Sequence, residues 1–162
     1  MESVDPKAFF GYEGFVRSVP LDVEIVGFGY DPRSNVVKES LFENLTDVNS
    51  VTLVNIYAIG DKAFKNCSSL ESITIPTTVR SIARSAFDGT TSLTKVIAKW
   101  TSASEIVNNG TIFYDQYRTA TLYVPTGTKA LYSEAESWKD FSKIVDNIDF
   151  ADDDVEAICV AN

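Results

Sequence analysis

A chain of 162 residues, 44% hydrophobic and 23% charged, is long enough for one ordinary domain with a buried core. Its net charge of −9 disfavours nucleic acid and anionic membrane surfaces as partners, and no apolar run approaches the roughly 18 residues of a transmembrane helix. The absence of any His removes the Ser-His and Cys-His nucleophile arrangements and the commonest zinc ligand together.

The opening MESVDPKAFFGYEGF lacks a basic stretch followed by an apolar one, so we read no signal peptide. On that reading the chain is intracellular or has had a leader removed. Residues 1 to 36 carry Phe9, Phe10, Tyr12, Phe15, Phe28 and Tyr30 and are expected to form an N-terminal cap; an aromatic sugar-binding patch is the sharper alternative. Val19, Leu21, Val23 and Ile25 alternate with other positions, which predicts a strand, and Pro20 places it at a sheet edge. Val16, Val19 and Leu21 also fit a worn repeat unit, 32 residues before Val48, Val51 and Leu53.

From residue 37 the chain repeats itself. IGDKAFKNCSSLESITIP, residues 59 to 76, returns 23 residues later as IARSAFDGTTSLTKVIAK: Ile59 maps to Ile82, Ala63 to Ala86, Phe64 to Phe87 and Leu70 to Leu93. A fainter copy precedes it by 22 residues at Val37, Phe42, Val48, Val51 and Leu53. A period in the twenties is the signature of a stacked solenoid. Within each unit, Leu-x-x-Ile-x-Ile is a short strand with its apolar positions on one face. Pro76, without an N–H, closes the strand. The Ala-Phe half is expected to turn back as a helical or 3₁₀ turn beneath the strand. One unit cannot bury its own apolar face, so several must stack.

A further, atypical strand is expected at ATLYVPTGT, where Leu122, Val124 and Pro125 take the places of Ile73, Ile75 and Pro76, with Phe113 in the Ala-Phe position. Leu131, Ala135 and Trp138 then fall at i, i+4 and i+7, which predicts an amphipathic helix closing the core, within a capping segment of residues 126–145. Residues 146–162 form an acidic tail in which Asp152, Asp153 and Asp154 lack the spacing of a calcium loop and suit the first turn of a short helix, with Val155, Ile158 and Cys159 inward. Cys67 and Cys159 read as separate buried thiols rather than as a disulfide or metal pair. No cofactor or metal is expected.

Stacked strands line up equivalent positions into ladders. The residues between the apolar rungs face outward, on the side where such folds usually bind partners. One ladder reads Ser50, Ser72, Lys95, Thr121 and its neighbour Thr52, Thr74, Ile97, Tyr123. Small hydroxyls are good strand surface in any case. The change toward Lys95, Ile97 and Tyr123 supplies charge, apolar area and an aromatic handle. Candidate binding residues are therefore Lys95, Ile97, Tyr123, Ser72 and Thr74, with Trp100 expected to extend the patch. Asn-x-Ser/Thr triplets at Asn44, Asn66 and Asn109 matter only in a eukaryotic secretory pathway.

The run Ile59, Gly60, Ala63, Phe64, Cys67, Leu70, Ile73, Ile75, Pro76, together with the closing LYVPTGTKALYSEAESWKDFSKIV, resembles the Treponema-type leucine-rich repeats of BspA-like bacterial surface proteins. The third copy departs from the pattern, with Thr90 for Cys and Ala98-Lys99 for Ile-Pro. The resemblance spans about residues 37 to 145 and implies an α/β repeat fold. That fold is a short right-handed leucine-rich-repeat solenoid with a stacked parallel-strand sheet, helical or 3₁₀ turns and a C-terminal capping helix. It further implies a non-catalytic, adhesin-like monomer, secreted or on a cell surface. Such a protein would recognise an extracellular protein or glycan through the concave sheet, without nucleic acid and without membrane insertion. The competing readings are a spacer that positions a neighbouring domain and, more remotely, a carboxylate-based glycosidase.

Overall fold

The computed structural model describes residues 21–27, 31–102, 104–105, 107 and 111–148. Among the described residues nine strands run β1 (Leu21–Val26), β2 (Val36–Val37), β3 (Val48–Val54), β4 (Ala58–Ile59), β5 (Ser72–Ile75), β6 (Ser81–Ile82), β7 (Lys95–Ala98), β8 (Thr121–Pro125) and β9 (Lys143–Ile148). They form two parallel sheets, a long one in the order β1-β3-β5-β7-β8-β9 and a short one in the order β2-β4-β6. Neighbours in the long sheet are thus separated in sequence by a whole winding of chain, which is the solenoid that the period predicts.

The period becomes structure through the alternation of the strands. Val51, Ile73, Val96 and Leu122 pair in register across β3, β5, β7 and β8, and all four are buried. The return half of each coil is a tight turn held by i→i−3 bonds such as Leu41 N to Lys38 O and Ala63 N to Gly60 O. The turns stack as closely as the strands: Phe42 N donates to Ala63 O, Phe64 N to Ala86 O and Asn66 N to Asp88 O, each at 2.8 Å. Backbone groups of one coil are therefore satisfied by the next.

This close stacking dictates the unusual backbone positions. Ser40 and Lys62 have positive φ 22 residues apart, and so do Asn44 and Asn66, with Gly89 completing the second series. Asn is among the residues that tolerate this conformation, and Asn66 Nδ2 also donates to Asn44 Oδ1 at 2.9 Å. At Gly89, φ is +74° and a Cβ would lie 2.3 Å from Asn66 Oδ1, so the third coil closes the ladder with glycine. Gly60 is required by proximity instead, since a Cβ there would lie 2.7 Å from the backbone N of Glu39 in the coil before.

A file of phenylalanines runs through the core. Phe42, Phe64, Phe87 and Phe113 stack with centroids 5.2, 5.5 and 5.0 Å apart and ring planes within 14° of parallel. The stack ends where Phe141 and Trp138 meet Phe113 edge-on, at 5.4 and 5.7 Å. Cys67 packs beside it, buried and without a disulfide, with Sγ 3.1 Å from Phe42 O. Thr90, which replaces that cysteine in the next coil, keeps its buried hydroxyl bonded to Phe87 O and accepts from Gln116 Nε2. The polar substitution is thus accommodated without an unpaired group.

The two ends differ from expectation. The helix of the closing segment, α2, spans Lys129–Glu134 only, and the chain then turns and adds β9 to the sheet. The i, i+4, i+7 spacing of Leu131, Ala135 and Trp138 arises partly from turns, because Ala135 already has an extended backbone. A shorter helix, α1 (Gln116–Thr119), precedes β8. At the other end, β1 is the first strand of the long sheet among the described residues, and its register is not that of the worn repeat. Val23 pairs with Val51 and Ile25 with Leu53, an offset of 28, with an irregularity between Leu21 and Asp22. Residues 1–20, 28–30 and 149–162, with the N-terminal aromatics, Pro20, Asp152–Asp154 and Cys159, lie outside the described residues.

Replacing Phe87 by Ala removes one of the two rings, with Phe64, that have a stacked partner on both sides. Urea unfolding is expected to show a loss of about 3–5 kcal/mol; a loss below about 1 kcal/mol would mean that the stack does not hold the coils together.

Candidate binding face

The outer face of the long sheet is built by what the rungs leave over. With Ile73, Val96 and Leu122 turned inward, pleating turns their neighbours outward. Strand pairing assembles both expected ladders: Ser50, Ser72, Lys95 and Thr121 lie side by side, as do Thr52, Thr74, Ile97 and Tyr123. Both ladders extend further than predicted. Asp22 and Glu24 of β1 precede Ser50 and Thr52, and Lys143 and Val145 of β9 follow Thr121 and Tyr123.

The face is chemically graded. At the β1 edge it is acidic, and Ser50 Oγ donates to Asp22 Oδ1 at 2.7 Å. The centre is Ser72 and Thr74, both partly exposed. Toward β9, Lys95 Nζ sits 5.3 Å from the centroid of the Tyr123 ring, a cation–π distance, with Ile97 beside the tyrosine. The contact crosses diagonally between neighbouring strands, within reach of long side chains.

Of the six candidate residues, five stand on this face and Trp100 does not. Trp100 is fully buried, packs edge-on against Trp138 at 5.5 Å and donates its indole N–H to Val79 O. The reason is parity: Val96, Ala98 and Trp100 share the inward side of β7 and its continuation, whereas Lys95 and Ile97 share the outward side. Trp100 is therefore part of the support and is withdrawn from the patch. Lys143 and Val145 were missed because the segment was assigned to the capping unit. The offset of 22 from Thr121 to Lys143 is the signal that finds them.

Beneath the face, buried hydrogen bonds hold its strands. Tyr132 of α2 donates its hydroxyl toward Ala98 O and Trp100 O, at 3.2 and 3.0 Å, tying the cap to the end of β7. Trp138 Nε1 donates to Val107 O, and Tyr117 Oη to Ser137 O. The cap thus fixes the strand that presents Lys95 and Ile97.

A family model described as the BspA type leucine rich repeat region matches residues 35–149 in six copies. Strand β1 precedes the matched range, so the sheet extends one strand beyond it. Neither the curated proteins nor the solved structures gave a match to the chain. Regions of this family are repeat-based binding or surface modules, generally without catalytic activity. Among the described residues no helix is long and apolar enough to cross a membrane.

The support is sensitive to alkali. Burial raises the Cys67 thiol from 9.0 to about 12, and burial raises the Tyr132 and Tyr117 hydroxyls above the ordinary phenol range. All three acids ionise more readily in the unfolded chain. Their contribution is complete below the ordinary thiol value and is lost as pH rises through the folded values. The urea midpoint is expected to fall steadily between about pH 8.5 and pH 11.5, and less steeply in Cys67→Ala; a midpoint that stays flat across that range would contradict the burial of these groups.

Proposed function

The chain belongs to the BspA-type leucine-rich-repeat family, and on that premise we propose that it is a non-catalytic, adhesin-like binding module. It recognises an extracellular protein or glycan through the outer face of the long sheet, as a monomer that is secreted or displayed on a bacterial cell surface. One observation carries this reading. Two rows that read Ser and Thr over β3 and β5 change over β7 and β8 to Lys95, Ile97 and Tyr123, with the lysine held over the tyrosine ring.

Core packing does not require that change, because these side chains lie on the opposite side of the sheet from the rungs. Tyrosine supplies rigid amphipathic contact area of the kind enriched at binding hot spots, and the exposed lysine cation beside it adds direction. The Ser72 and Thr74 rows supply flanking hydroxyls for polar contacts. The smooth Ser/Thr half of the face favours a second reading, in which the coils act as a spacer that sets distance and orientation for a neighbouring domain.

Binding of the chain to a panel of matrix proteins and glycans is the test, beside a Lys95→Glu/Tyr123→Ala variant whose fold is verified by circular dichroism. Selective binding that weakens roughly tenfold or more in the variant is the expected result. Binding that is unchanged in the variant would place recognition on another face, and no binding by the folded protein would favour the spacer.

A further inference from the structure

We propose that the ligand of this face is an acidic polypeptide segment in extended conformation, lying across β7, β8 and β9; the claim rests on the binding reading above and narrows it to a partner. It begins from a mismatch of charge. The chain carries −9 overall, yet the outward positions of β7, β8 and β9 pair as Lys95, Thr121 and Lys143 in one row and Ile97, Tyr123 and Val145 in the next. No carboxylate occupies these six positions. The acidic outward residues of the same sheet, Asp22 and Glu24, stand on β1 at the opposite edge.

Lys95 and Lys143 are both exposed, and among the described residues neither forms an ion pair; the lysine contact present is that of Lys95 with the Tyr123 ring. They stand two strand spacings apart, about 9–10 Å at 4.7–4.9 Å per strand. An extended segment of the polyproline II type rises about 3.1 Å per residue, so carboxylates three residues apart span the same distance. Apolar side chains between those carboxylates then meet the second row. Ile97 and Val145 are aliphatic, and covering them with the hydroxyls of a sugar would leave polar groups unpaired, whereas alkyl side chains would not. This favours polypeptide over glycan.

The rest of the molecule sharpens the choice. A partner bearing carboxylates is repelled by the net charge and by the Asp22–Glu24 edge, and is attracted at the lysine row. Orientation is therefore set along with affinity.

The test uses the full chain and three probes: a synthetic peptide with Glu at every third residue and Leu or Ala between, its Lys counterpart, and a heparin oligosaccharide. Calorimetry is run at low and at physiological salt on the wild type, on Lys95→Glu/Lys143→Glu, and on Lys38→Glu as a charge reversal away from the face. The wild type is expected to bind the Glu peptide and not the Lys peptide, more weakly as salt rises. The double variant is expected to lose about fivefold or more, while Lys38→Glu retains wild-type affinity. Failure to bind the Glu peptide, equal binding by the double variant, or a preference for heparin over the Glu peptide would each overturn the proposal. If the proposal falls while Lys95→Glu/Tyr123→Ala still abolishes capture of a matrix protein or glycan, the binding reading survives. If no ligand is found in either experiment, both fall.

Discussion

The stacking of Phe42, Phe64, Phe87 and Phe113 is the constraint on which the rest of the structure depends. Rings 5.0–5.5 Å apart and nearly parallel hold successive coils in a common register on the turn side, while the parallel strands hold them on the other. Each stacked pair adds about 0.5–1.5 kcal/mol beyond the area it buries. The larger consequence is geometric. Once one aromatic position per coil is fixed, every other position repeats with it, so the buried rungs and the outward ladders follow from the same alignment.

A stack of this kind has to end, and the way it ends makes the face possible. Past Phe113 the parallel arrangement gives way to edge-on contacts with Trp138, Tyr117 and Phe141. Their polar atoms find backbone carbonyls inside the cap, as Tyr117 Oη does at Ser137 O and Trp138 Nε1 at Val107 O. The aromatic residues of this half are therefore mostly committed to the interior. Tyr114, in the turn before α1, and Tyr123 are the exceptions, and Tyr123 stands on the outward side of β8 with Lys95 over its ring. Binding chemistry and cap chemistry occupy opposite sides of the same strands, separated by the pleat.

Where the coil length is constant, the structure is legible in the sequence. Offsets of 22 and 23 residues lead from Ser50 to Ser72 to Lys95 as surely as from Phe42 to Phe64 to Phe87, because stacked backbones leave no freedom to slip. Legibility fails where that length changes. Phe87 to Phe113 is 26 residues, as is Lys95 to Thr121; β9 keeps the offset of 22 from β8, but the local spacing of Leu131, Ala135 and Trp138 suggests a longer helix than tertiary packing allows and conceals it. At β1 an irregularity moves the offset from 27 to 28 and defeats a repeat judged by spacing alone. Trp100 is a different case. Its parity with Val96 and Ala98 is plain in the sequence and marks it as inward, against the general tendency of an isolated tryptophan to suggest a site.

The most direct measurement of the central claim is a pair of double-mutant cycles on unfolding free energy. One cycle combines Phe64→Leu with Phe87→Leu, neighbours in the stack, and the other combines Phe42→Leu with Phe113→Leu, three coils apart. If the stack links the coils pairwise, the neighbouring pair couples by about 0.5–1.5 kcal/mol and the distant pair by less than about 0.5 kcal/mol. Equal coupling in both cycles, or none in the first, would show that something other than ring stacking sets the register of the coils.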